Sequence, residues 1–414
     1  MKNPIGHTRK SESRFGPIVG VSINVLAAFI QSIAMGMCAI VFPVALESNG
    51  MSTSIIGIIL AMDSIAAFLG AWCVSFFLKT LGMKATMIAS GTAGAVAIIF
   101  LSGVSGLIPW SVGVFVNGFG SFMFIMLLQT WVNSLQFKQK KGLILALYST
   151  VISIGLAIGP VLVSSLESSY EAMIPILQKV MAASGLPGHI LVQSRITFYC
   201  AFLVSAMALG PVLMGVMFIP NLQVRSQARI WDIIMRAKGP MFALAMGAVS
   251  FSGTTSFITI YGLKNGLGVS DSSLLLTCFM AGTIILETPL SWVSDFFDRR
   301  YVIVFASLTS LVCAVYLPMA IYFKYAAWTL LFFWGGFTGC IYSTSMALIS
   351  DRFQNDELVA ANSGYSLMES IGGGAGVLLI GIFMDIAGTD GLPYVIMFAS
   401  ILYFSFALTR YQVK

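Results

Sequence analysis

Charge is scarce in this chain. Asp, Glu, Lys and Arg make up only 9% of its 414 residues, against roughly 25% in a soluble domain, so most of its surface does not face water. Histidine is scarcer still: His7 falls in a polar tail and His189 in a connection. No HExxH, GxSxG or Walker A pattern occurs. That removes the ligand set of a zinc protease, the nucleophile elbow of a hydrolase and the phosphate cradle of an ATP-driven pump. The six cysteines (Cys38, Cys73, Cys200, Cys278, Cys313 and Cys340) sit in apolar segments without a CxxC pair or a metal-ligand spacing, so neither a metal nor any other cofactor is expected. No stretch is polar and long enough to form a separate soluble domain.

Apolar residues are abundant: 58% of the chain is hydrophobic and the mean hydropathy is +0.92. A spanning helix needs about 20 apolar residues, because the hydrocarbon core is about 30 Å thick and each residue rises about 1.5 Å. Apolar windows fall near 17–45, 54–78, 85–104, 108–134, 141–166, 194–219, 240–264, 270–296, 300–321, 326–350, 357–384 and 388–410. The expected fold class is therefore an all-α membrane protein of about twelve transmembrane helices, with the lipid bilayer as its first partner.

The cations set an expected orientation. Lys2, Arg9, Lys10 and Arg14 lie in the tail. The even-numbered connections hold Lys79, Lys84, Lys138, Lys140, Lys141, Arg225, Arg229, Arg236, Lys238, Arg299, Arg300 and Arg352, and the C-terminus adds Arg410 and Lys414. The odd-numbered connections and their edges hold only Lys179, Arg195, Lys264 and Lys324. The positive-inside rule then puts both termini in the cytoplasm, which requires an even number of spans. The net charge of +6 is accounted for by topology, not by nucleic-acid binding. Residues 1–16 read as a cytoplasmic tail, 17–219 as an N-terminal six-helix half, 220–239 as a basic cytoplasmic loop and 240–414 as a C-terminal six-helix half.

The connection 167–193 is long, and its Met173, Ile176, Leu177, Val180 and Met181 recur at helical spacing. It reads as a short amphipathic helix on the external surface or as a lipid-skimming linker. An internal repeat links the halves. A shift of 217 positions lays Tyr148 on Tyr365, Gly155 on Gly372, Gly159 on Gly376 and Gly118 on Gly335. Parallel repeats of this kind mark two-lobed transporters.

Span eight leaves the membrane as "LETPLSWVSDFFDRRYVIV" (286–304). Ser294, Asp295, Arg299 and Arg300 match the inter-helix loop of the major facilitator superfamily, G-x-L-S-D-R-x-G-R-R, although its glycines and the Arg after the Asp are replaced. A carboxylate at a helix end is suited to latch the cytoplasmic side against a helix N-terminus or a cation, for which Arg352 is a candidate. Arg299 and Arg300 either belong to that latch or anchor the span by snorkelling to lipid phosphates. The first-half counterpart, "LKTLGMKAT" (78–86), keeps Gly82 and Lys84 but has Lys79 at the place of the acid. Span five carries Gly155-x-x-x-Gly159-Pro160, similar to the front of the antiporter motif, with Val163 and Ser164 in place of its closing glycines. The blocks 129–151, 289–300, 332–352 and 357–376 further resemble the YcaD-type branch of bacterial major facilitators, across most of the chain and in order.

The resemblance implies a monomer in a bacterial cytoplasmic membrane, with two six-helix halves and spans 1, 4, 7 and 10 around a central cavity. Three acids fall well inside spans: Asp63, Glu287 and Glu369. An ionised side chain at bilayer depth costs about 2.5–3.5 kcal/mol on insertion scales, and no Lys or Arg lies at comparable depth. Such acids either carry a proton part of the time or pair with a cationic substrate, so they are the expected proton-coupling sites. Asp63 has a plainer alternative, a neutral carboxyl bonded to Ser64 or Ser32, and Glu287 one of serving the gate by reaching Arg352. The missing cation disfavours anionic cargo. Expected cavity positions are Asn24 and Gln31 in span one, Asn117, Ser121 and Phe124 in span four, Ser252, Ser256 and Thr259 in span seven, and Trp334, Thr338 and Tyr342 in span ten. Each also suits a plain interhelical hydrogen bond or packing contact. The expected activity is secondary transport of a small neutral or cationic solute by alternating access, coupled to protons, with a lean to antiport. Uptake of a metabolite, or a sensor that keeps the fold without transporting, remain the other readings.

Overall fold

A computed structural model describes residues 16–134, 150–167, 192–219, 230–294, 296–353 and 356–411, together with 148 and 169. The tail 1–15, the cluster Lys138, Lys140 and Lys141, nearly all of the connection 167–193, the first part of the inter-half loop and Asp295 lie outside the described residues.

Each expected window contains a helix, although most of 141–149 lies outside the described residues and the window 194–219 is broken at Ala208 and Gly215. The twelve are α1 (Gly16–Ser48), α2 (Thr53–Thr80), α3 (Gly82–Leu101) and α4 (Leu107–Ser134), α5 (Thr150–Glu167), then α6 (Val192–Met207), α7 (Lys238–Lys264), α8 (Val269–Val293), α9 (Arg299–Ala320), α10 (Lys324–Arg352), α11 (Asp356–Ala387) and α12 (Gly391–Tyr411). Short helical pieces at Leu209–Met214, Val216–Phe218, Ile230–Arg236 and Gly388–Asp390 complete the described elements, none of which is a strand. By length and composition, ten stretches among the described residues qualify as membrane spans, the last (Gly364–Ala407) running through both α11 and α12. The helix α10 is 29 residues long but falls outside that set, because Gly335, Gly336, Thr338, Gly339, Tyr342, Ser343, Thr344 and Ser345 dilute its apolarity.

Bulky apolar side chains stand on the outside of the bundle. Trp72 and Ile108 are each 75% exposed and Met214 is 83% exposed. In water this surface would drive aggregation, whereas in lipid it is the solvated face.

The helices within each half meet at glycines, where small residues let backbones approach. A Cβ on Gly155 would lie 2.8 Å from the Phe29 carbonyl oxygen and one on Gly159 would press on the backbone of Gly36 and Met37, so α5 lies directly on α1. In the second half Gly372 and Gly376 sit against the backbone at Ala245 and Val249, placing α11 on α7 in the same way. The internal repeat extends to a hydrogen bond. The Tyr148 hydroxyl donates to the Ile125 carbonyl at 3.4 Å, and 217 residues later the Tyr365 hydroxyl donates to the Tyr342 carbonyl at 3.3 Å.

The halves meet most intimately where α2 crosses α11. A Cβ on Gly57 would fall 2.9 Å from the Val377 carbonyl oxygen, and one on Gly381 would meet that of Thr53. Among the described residues, the further inter-half bonds given below lie toward the same end, that of the odd-numbered connections.

Candidate functional site

Three carboxylates define the site. Along α2 the outer stripe is Ile58, Ile65, Phe68, Trp72 and Phe76. Asp63 is also exposed, yet it stands two residues from Ile65, which on a helix is about 200° away. Its exposure is therefore to the interior of the bundle. Glu287 and Glu369 stand in the same relation to the outward Ile285, 58% exposed, and Ile371, 53% exposed, and both are half-buried. Tyr342 lies nine residues beyond the outward Phe333, half a turn round α10, and is 39% exposed. These side chains therefore face inward from α2, α8, α10 and α11.

Each carboxylate is held differently. Asp63 lies over the backbone of α4 at Gly118, where any Cβ would strike its Oδ1 atom. Neither Asp63 nor Glu369 has a hydrogen-bond or ion-pair partner among the described residues. Ser32, considered above as a partner for Asp63, instead donates to the Ala28 carbonyl at 2.7 Å. Glu287 lies against Gly339 of α10, where a Cβ would fall 2.9 Å from its Oε2 atom, near Ser343, whose hydroxyl bonds Ser291 and the Gly339 carbonyl. Both glutamates act electrostatically on Tyr342 and Tyr365, whose rings meet edge to face with centroids 5.0 Å apart. Glu287, Glu369, Tyr342 and Tyr365 thus form one cluster on the second half, with Asp63 alone on the first.

No described Lys or Arg stands at that depth. Lys79, Lys84, Arg195, Arg236, Lys238, Lys264, Arg299, Arg300, Lys324 and Arg352 are all at or beside helix ends. Arg352 donates to the Arg236 carbonyl at 3.4 Å and tethers the end of α10 to the Ile230–Arg236 helix, not to Glu287.

Most of the other polar candidates are in seams between helices. Asn24 donates to the Leu128 carbonyl at 2.9 Å, joining α1 to α4. Gln31 donates to Ser121 at 3.1 Å and accepts from Ser205 at 3.3 Å, joining α1, α4 and α6. Asn117 donates to the Gly94 carbonyl at 2.9 Å. Trp334 donates its indole N–H to Ser250 at 3.2 Å, and Thr338 turns back to the Trp334 carbonyl at 2.9 Å. Phe124 and Thr259 are wholly buried. Ser252 and Ser256 are half-buried. Ser252 and Ser64 both stand beside Gly373, where α7, α2 and α11 meet.

Among the motif residues, Gly82 has φ +75°; it turns the chain between α2 and α3 in the left-handed region that glycine favours. Lys84 follows it, half-buried. Pro160 is buried directly after Gly159 on the α1 seam. Arg299 and Arg300 open α9, and Asp298 caps that helix by accepting from the Arg300 N–H at 2.9 Å. That cap occupies the place of the motif's turn glycine, and its Asp-before-helix signature was readable in the sequence.

The Major Facilitator Superfamily sequence model matches residues 240–413. The chain is 23% identical over 388 residues to the uncharacterised MFS-type transporter YfkF of Bacillus subtilis, covering 90% of this chain and 91% of that one. It is 21% identical over 355 residues to the uncharacterised MFS-type transporter YcaD of Escherichia coli, covering 83% of each. Among solved structures, it aligns with an inward-facing, unoccupied bacterial homologue of the human lysosomal transporter Spinster at TM-score 0.72, 12% identity and 96% coverage of both chains. It aligns with the nucleoside transporter NupG at TM-score 0.69 and 15% identity, covering 96% of this chain and all of the other. The fold is the major facilitator fold, and the sequence resemblance to YfkF and YcaD runs along most of the chain. These matches support a multi-pass membrane transporter of the major facilitator type.

Proposed function

We propose that the protein is a secondary active transporter in a bacterial cytoplasmic membrane, exchanging protons for a small neutral or cationic solute by alternating access. The observation that carries this reading is the set of inward-facing carboxylates, Asp63, Glu287 and Glu369, at a depth where no described cation neutralises them. A carboxylate at such depth is costly to keep ionised, so it holds a proton or a cation in turn. A proton and a solute that compete for the same carboxylates cannot both be bound, and that exclusion is the elementary step of antiport. Asp63, alone against Gly118, is the proton site in this reading. Beside Tyr342, Glu287 and Glu369 take a proton or the solute in turn, with Ser252 and Ser256 as further polar positions. The cation-rich even-numbered connections face the cytoplasm, so the end that carries these inter-half bonds is external in this reading.

Substrate class comes first. A thermal-shift screen of the purified protein against organic cations, sugars, amino acids and organic acids, at pH 5.5 and 7.5, should show stabilisation by one neutral or cationic class at one pH more than the other. Flux of that solute into proteoliposomes under an imposed pH gradient should then lose its pH coupling in Asp63→Asn or Glu369→Gln. Stabilisation by anions alone, or full coupling retained in both variants, would sink the proposal.

A further inference from the structure

The helix α2 is capped twice. Ser52 provides a local cap, accepting from the Ile55 N–H at 3.4 Å. The second cap comes from the other half. Asp385, in the last turn of α11, accepts the Thr53 N–H on Oδ1 at 2.9 Å and the Ser54 N–H on Oδ2 at 2.9 Å. The Thr53 hydroxyl bonds the same carboxylate. Amides in the first turn of a helix have no intrahelical acceptor, and the positive end of the helix dipole favours an anion there. Bonds to an ionised carboxylate are among the stronger ones available.

Other bonds among the described residues also cross between the halves at this end. Lys264 meets Glu47 at 3.5 Å with side chains 34% and 25% exposed, a screened surface pair. Ser164 meets Ser270 at 2.9 Å, without charge. Of the three contacts, only the Asp385 one combines an ionised acceptor, two main-chain amides and a close backbone crossing beside it, at Gly57 and Gly381.

We propose that Asp385 is a gating residue, a latch that holds the α2–α11 seam shut by capping a helix of the opposite half. The two caps have separate tasks. Ser52 stays with α2 in every state and keeps the helix from fraying, whereas Asp385 can reach it only when the halves are together at this end. The latch is also reversible, because Asp385 is exposed and its carboxylate and the freed amides pass into water when the seam parts. This inference rests on the alternating-access reading but needs neither the coupling sites nor the identity of the solute.

The test is hydrogen–deuterium exchange of the full-length protein in nanodiscs, comparing wild type with Asp385→Asn, Thr53→Val and Ser52→Ala. In Asp385→Asn, exchange over 53–60 and 380–392 should rise about five- to tenfold, while exchange at the opposite end, over 76–86 and 236–245, falls. Thr53→Val, which keeps the carboxylate, should move both ends the same way by less. Ser52→Ala should raise exchange over 53–56 alone. Reciprocal change at the two ends is the signature of a latch, since a static cap leaves the far end untouched. If Asp385→Asn behaves like Ser52→Ala, or changes nothing, the inference is overturned. If it behaves as expected while Asp63→Asn and Glu369→Gln both keep their pH coupling, the latch stands and the coupling proposal falls.

Discussion

Gln31 separates two roles that one polar residue in a span might have. Its side chain is 2% exposed, donates to Ser121 at 3.1 Å and accepts from Ser205 at 3.3 Å. Replacing it with Leu keeps the volume close and removes both bonds. Interhelical hydrogen bonds in membranes are worth about 0.6 kcal/mol on average and about 1.7 kcal/mol at most. The two freed serine hydroxyls can each turn to a carbonyl one helical turn back, so no buried donor is stranded. The expected loss is about 1 kcal/mol, roughly fivefold in the folding equilibrium, with solute binding unchanged. Unfolding in mixed micelles of increasing SDS fraction measures the loss, and a double-mutant cycle with Ser121→Ala should return a coupling near 0.6 kcal/mol. A zero coupling together with weakened solute binding would show that Gln31 meets cargo in a state where the seam opens. That would refute its assignment to packing.

Two further outcomes are expected. Gly118→Ala adds a methyl group where the Asp63 carboxylate lies; overpacking costs about 1–3 kcal/mol and better helix propensity offsets about 1 kcal/mol. The protein should remain folded by size-exclusion chromatography while pH-driven flux falls sharply, and unchanged flux would place the working carboxylate elsewhere. Glu47→Gln breaks the exposed pair with Lys264, so stability should change by less than about 1 kcal/mol, and the difference should shrink in high salt. A larger or salt-independent effect would mean that this pair, not Asp385, dominates closure.

The spans and their number were legible because lipid imposes one requirement on every residue facing it, and the even parity of cation-rich connections confirmed the count. The repeat was legible too: the overlap of Tyr148 with Tyr365 corresponds to a hydrogen bond made in both halves. What helical spacing could not separate is a cavity wall from a seam between helices, since both face inward. Asn24, Gln31, Asn117 and Trp334 are polar at the expected angle, yet in this conformation they bond neighbouring helices. A sharper signal was present for the acids: Asp63, Glu287 and Glu369 each sit two residues from a bulky outward isoleucine, with no cation at that depth. Asp385 was missed because it lies at a helix end, where an acid is unremarkable, and its partners are more than 330 residues away. No local pattern reports such a pairing.

The seam between α8 and α10 bears on how the chain is made. Gly282 faces the carbonyl of Phe332, and Gly335 faces that of Phe279, so each helix leaves the other no room for a side chain. The two helices are not neighbours in sequence. During synthesis, at about 5–20 residues per second, α8 enters the bilayer seconds before the facing part of α10, about fifty residues later, has been made. The pairing of α8 with α10 is thus a late assembly step, and it also brings Glu287 to Ser343. Glu287 acquires its place against Gly339 only when the second half closes on itself.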